Sequence, residues 1–182
     1  MRIAFRLSLL AAVAVYLALV LWSLPRIEAA ANGLTPFDLR PFGYSGEEAR
    51  AFLAALGDAG RAQYLGPQRW LDMVYPALLA LTLVLGIFRF GARFPLAGRV
   101  LLSAVAVAGS AFDYLENARV AAMLALPPAE VTDAMAAAAS QATVAKSGLG
   151  AFSITMVLIL AVLFGVRRRR RRRQKTDKAG RT

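Results

Sequence analysis

The chain contains no cysteine and no histidine. Without thiols there are no disulfides and no thiol redox chemistry, and without imidazole or thiolate the usual nucleophile–base pairs cannot be assembled. The customary ligands of zinc, haem and copper are missing with them. Neither a metal nor a cofactor is expected, and any chemistry must run on Asp, Glu, Lys, Arg, Ser, Thr or Tyr. Acidic residues are scarce as well, 11 against 22 Lys and Arg in 182 residues. The formal charge of +11 is mostly a tail effect, because residues 167–182 hold ten of the basic side chains and one acid, leaving +2 for the rest. The body is therefore not a basic surface of the kind that binds nucleic acid.

Apolar residues are what the chain has in excess, at 58% and a mean hydropathy of +0.53, where a soluble domain would sit near 45–50% apolar. The excess falls in blocks long enough to cross a bilayer, whose core of about 30 Å needs about 20 helical residues. The expected architecture is all-α: a four-helix transmembrane bundle with a short helical extracytoplasmic cap between spans one and two. The spans are read at about 7–24, 70–90, 100–126 and 144–166. They form one membrane domain over 1–166, with a polar connection at 26–69 and a basic tail at 167–182. Ala29 and Ala31 follow span one with small-x-small spacing. The run Leu7–Leu24 is longer than the 7–15 residues of a signal core, so span one is read as a retained anchor ended by Pro25.

Within the connection, Ser45 and Glu48 have the spacing of a capping box. Ala49, Phe52, Leu53 and Leu56 form one apolar stripe, and Gly57 supplies a helix stop. A second short helix is expected from Asp58 to Leu65, closed by Gly66-Pro67. In span two, Pro76 is expected in the second turn, where a missing N–H costs least. Residues 129–143 are Ala-rich and read as a helical lead-in to span four.

Charge in the short loops sets the expected orientation. Arg2 and Arg6 precede span one. Arg89, Arg93 and Arg99 lie between spans two and three, while the link from three to four carries only Glu130 and Asp133. The seven arginines Arg167–Arg173 follow span four. Both termini are thus expected in the cytoplasm and the 26–69 connection outside, with the arginine run against anionic lipid heads.

One stretch disturbs the apolar pattern. FDYLENARV, Phe112–Val120, places Asp113, Glu116, Asn117 and Arg119 inside span three. At 1.5 Å per residue, Asp113 falls about 18 Å into the membrane, just past its midplane. Antiparallel threading brings Asp72 of span two and Lys146 of span four into the same outer half. The candidate ligand-binding set is therefore Asp72, Asp113, Glu116, Asn117, Arg119 and Lys146, with Arg119 and Lys146 as counter-charges. Arg40 and Tyr44 of the DLRPFGYS turn are candidates to reach down from the cap. Ionisable groups within spans face the bundle interior and are often functional, yet an ion-paired cluster also holds helices in register.

The pattern RPFGYSGEEARAFLAALG at Arg40–Gly57, GRAQYL at Gly60–Leu65, Leu71-Asp72, Tyr75-Pro76 and DYLEN at Asp113–Asn117 resembles a group of small four-span bacterial membrane proteins. The resemblance covers roughly residues 37–150 and implies no activity; it does imply a bacterial source, and helical spans imply the inner membrane. Three functions remain open on these residues. The first is a non-enzymatic binding or accessory module, taking a lipid head group, a small cation or a partner's helix. The second is an enzyme on a lipid-linked substrate with Asp113 or Glu116 as base. The third is an ion- or proton-coupled transport component. A partner membrane protein or a homo-oligomer is compatible with each.

Overall fold

Apolar helices that must satisfy their own backbone groups in lipid account for nearly all of this chain. A computed structural model describes residues 1–179, giving backbone alone for 171–173 and 175–179. It is 86% helix, with no strand among the described residues. Helix α1 spans Arg2–Ala30, α2 Gly46–Ala55, α3 Gly57–Phe90, α4 Leu96–Leu124 and α5 Asp133–Ala179. Single 3-10 turns lie at Phe37–Leu39 and Pro128–Glu130. Helices α1, α3, α4 and α5 are each long and apolar enough to cross a membrane. The chain is thus a four-helix bundle, with α2 and its flanking turns as a cap.

Two boundaries differ from the sequence reading, for one physical reason. Helix α1 runs past Pro25 to Ala30, because residues Leu19–Ser23 form a wide π turn that closes with Leu24 N–H on the Leu19 carbonyl. That turn shifts the hydrogen-bond ladder, and a proline with no N–H to donate follows it at least cost. The chain stops instead at Asn32 (φ +54°) and Gly33 (φ +81°), whose N–H reaches back to the Glu28 carbonyl at 2.9 Å, a Schellman end. Likewise Gly66-Pro67 does not close a short helix. It lies in a second π turn, Tyr64–Gln68, and α3 passes through it unbroken. The two π turns are joined where Gln63 Nε2 donates to Ser23 Oγ at 3.0 Å.

The cap is built as its residues dictate. Glu48 N–H donates to Ser45 Oγ (3.1 Å), and Ser45 N–H donates to Glu48 Oε2 (2.7 Å). The Ser45 backbone bond, then its hydroxyl, hold the Glu48 carboxyl below its ordinary range. Ala49, Phe52, Leu53 and Leu56 are all buried, and Gly57 turns the chain at φ +59°. Phe37 fills the centre, 4.8 Å from the Tyr44 ring and 4.7 Å from Phe52. Ala136, Ala139, Val120 and Met123 complete this core. It is the larger of two clusters; the other, Leu83, Ile87, Ala106, Val157 and Leu160, lies between the spans. Arg61 ties cap to bundle by donating to the Leu124 carbonyl at 2.5 Å, where a cation suits a helix C-terminus.

Candidate functional site

Pro76 shapes the first part of the site. Because α3 begins at Gly57, Pro76 stands deep inside the helix rather than in its second turn, and its missing N–H frees the carbonyl four residues earlier, that of Asp72. Asn117 Nδ2 donates to that carbonyl at 3.2 Å. Two further donors from α4 serve the same turn, Tyr114 Oη to the Met73 carbonyl (2.8 Å) and Ser110 Oγ to the Pro76 carbonyl (2.9 Å). Positions 110, 114 and 117 lie on one helix face. Part of the polar content of FDYLENARV is therefore backbone repair at a proline.

The charged part centres on Lys146 of α5. Its Nζ pairs with Asp113 Oδ1 at 3.1 Å, with Asp38 Oδ1 at 3.6 Å, and in close contact with Glu116 Oε2. Glu116 is the deepest member, with a side chain 1% exposed. Its Oε1 accepts from Thr143 Oγ1 at 2.5 Å. Small and polar residues on one stripe of α5 allow this approach: Ser140 accepts from Tyr44 N–H at 2.8 Å, and Thr143 and Lys146 follow one turn apart. No group of three or more Asp and Glu side chains placed to hold a metal ion occurs among the described residues.

Asp72 is held separately. Gln68 Nε2 donates to Asp72 Oδ1 at 3.1 Å. A cavity of about 110 Å³ lies between Asp72 and Asp38, lined also by Tyr64, Arg69, Tyr114 and Asn117 over an apolar floor. Tyr64 Oη donates to Asp38 Oδ2 at 2.5 Å, so Asp38 links cavity and lysine cluster.

Two sequence candidates lie elsewhere. Arg119 forms no ion pair among the described residues; its guanidinium donates to the Ala138 carbonyl at 2.5 Å, because its place on α4 faces the backbone of α5 rather than the acids. Arg40 does not reach down. It donates to the Thr35 carbonyl at 2.9 and 2.7 Å and covers the Phe37, Tyr44 and Phe52 rings at 5.7–5.8 Å, as a cation over aromatic faces does. Tyr44 does point inward. Burial, then the charge of Glu116, pushes its hydroxyl above the ordinary tyrosine range, and that hydroxyl has no hydrogen-bond partner among the described residues.

Asp38, Tyr64, Gln68 and Thr143 were not singled out as site residues from the sequence. Asp38 and Tyr64 lie in a turn and in a π turn, where no periodicity places a side chain. Thr143 does carry a signal, since it shares the α5 stripe with Lys146. Of the arginine run, Arg171–Arg173 have side chains outside those described. Compared with known proteins, the chain matches no family model, no curated protein and no solved structure.

Proposed function

We propose that this chain is a non-enzymatic binding module of the bacterial inner membrane, with both termini cytoplasmic and its ligand site at the extracytoplasmic, cap end of the bundle. The observation that carries the reading is an imbalance of charge beside an open space. Asp38, Asp113 and Glu116 share the single ammonium of Lys146, and among the described residues the Asp72 carboxylate has only the Gln68 amide. Ions out of water need partners, and the cavity between Asp38 and Asp72 has room for a cationic group to supply one. Binding fits better than translocation, because the spans carry no acidic residue on the cytoplasmic side of this cluster. It fits better than catalysis, because Lys146 is committed to three carboxylates, and the hydroxyls beside them, Thr143 and Tyr64, are buried and donate to Glu116 and Asp38.

Thermal unfolding of the purified chain against a panel of amines, inorganic cations and lipids tests the proposal. A ligand specific for the native state stabilises by about 2.7 kcal/mol at a hundredfold excess over Kd. The wild type should respond to a cationic member of the panel, and Asp72→Asn and Asp38→Asn should lose that response while remaining folded. Full response in both variants, or none in the wild type, would remove the basis for a site here.

A further inference from the structure

The cavity identifies a more specific occupant, on the assumption that it is a cation site at all. We infer that it seats the headgroup of a phospholipid ending in a primary ammonium, with Asp38 and Asp72 taking the ammonium and Arg69 the phosphate.

Depth comes first. Trp70 is 75% exposed beside the cavity, and Met73 and Val74 on the same helix are exposed apolar residues. An exposed tryptophan next to an apolar helix face marks the headgroup level of a membrane. Met73, Tyr114 and Leu65 line the cavity and are themselves exposed, so it communicates with the surface that acyl chains would cover.

The polar walls are then sorted by sign. Asp38 and Asp72 stand on the inner side, tied into the bundle through Lys146 and Gln68. Arg69 is exposed at the rim. A zwitterionic headgroup has the matching order, an ammonium at its tip and a phosphate two carbons behind. The guanidinium is suited to a phosphate oxygen pair, and the Tyr64 and Tyr114 rings add cation-favouring faces.

The count of acceptors favours a primary over a quaternary ammonium. Gln68 donates its Nε2 to Asp72 and Tyr64 its hydroxyl to Asp38, so each carboxylate at the cavity has one neutral donor and lone pairs left for more. A primary ammonium carries three N–H donors, enough to serve both carboxylates that line the cavity, Asp38 and Asp72. A trimethylammonium has none and could offer these two carboxylates charge but no hydrogen bond.

The test uses the full chain in detergent, with binding read by native mass spectrometry and by the unfolding midpoint. The probes are phosphatidylethanolamine, phosphatidylcholine, phosphatidylglycerol and soluble phosphoethanolamine. Expected are at least tenfold tighter binding of phosphatidylethanolamine than of the other two lipids, loss of that preference in Asp72→Asn, and weaker binding of all phospholipids in Arg69→Gln. Arg69 is exposed, so its variant should fold even if Asp72→Asn does not. Equal binding of the ethanolamine and choline lipids overturns the ammonium assignment and leaves a cation site standing. Phosphoethanolamine binding as tightly as the lipid, or an Arg69→Gln variant that binds like wild type, overturns the lipid headgroup. If no probe and no amine binds, the site reading itself falls.

Discussion

At the scale of single residues, Lys146 and Glu116 are the pair whose removal should be felt most. Glu116 has almost no access to solvent and its Oε2 has no partner besides the Lys146 ammonium. Removing one member of such a pair leaves an uncompensated buried charge, at about 3–5 kcal/mol. Lys146→Met is therefore expected to lower the unfolding free energy by about that amount. Adding Glu116→Gln and Asp113→Asn, which removes the stranded charges, should restore much of it. Equilibrium unfolding of the three proteins in one detergent measures both steps, and a Lys146→Met loss within error of zero would show the pair to be solvated. The meeting of Asp113, Glu116 and Lys146 was legible in sequence because helix rise fixes depth. Asp38, which completes the lysine's surroundings, was not. It is more than a hundred residues from Lys146 in a turn, and only the packing of Phe37 into the cap places it.

 That packing rests on Phe37 itself, which stands next to Asp38 and is wholly buried against Phe52 and Tyr44.

At the scale of elements, the contact of α3 with α4 turns on a proline and an amide. Pro76 frees the Asp72 carbonyl, and Asn117 occupies it. Losing the amide leaves a desolvated acceptor, at about 1–3 kcal/mol. Asn117→Leu should cost that much in the wild-type background. It should cost less in Pro76→Ala, where the new residue 76 N–H can close the helical bond to Asp72. The coupling in this double-mutant cycle is the quantity to measure, and additive losses would show that Asn117 acts elsewhere. The capping box of α2 and its apolar stripe were readable because each is a local pattern of fixed spacing. The π turns at Leu19–Ser23 and Tyr64–Gln68 were not, since nothing in a local pattern announces an extra residue per turn. What fixes them is tertiary, the bond from Gln63 to Ser23 and the burial of Tyr64 and Gln68. They lengthen α1 to 29 residues and α3 to 34, well beyond the roughly 20 that a bilayer core needs, and the surplus length is what carries the cap.

At the scale of the whole molecule, the cap decides how the charge of the 26–69 segment counts toward orientation. That segment holds Arg26, Arg40, Arg50, Arg61 and Arg69, which by number alone would weigh against an outside location. Three of them are consumed by the fold. Arg50 pairs with Asp133 at 2.8 Å, Arg61 serves the end of α4, and Arg40 serves the Thr35 carbonyl. At the opposite end, Arg2, Arg6 and Arg93 lie on exposed positions, and neither of their segments, 1–10 and 89–99, contains an acid. Orientation follows the Lys and Arg bias of short loops near span ends, and with Arg89, Arg99 and the run Arg167–Arg173 on the same side the bias outweighs the cap's five, so the cap is expected outside and the Arg93 loop inside. The absence of cysteine makes this directly measurable, because one introduced thiol is the only one in the protein. Leu34→Cys lies on the exposed cap loop and Ala92→Cys on the exposed turn between α3 and α4. In intact cells a membrane-impermeant maleimide should label the first and reach the second only after permeabilisation. The reverse pattern would invert the bundle, and would turn the Asp38–Asp72 cavity toward the cytoplasmic leaflet, so the lipid it meets would be drawn from the other side of the membrane.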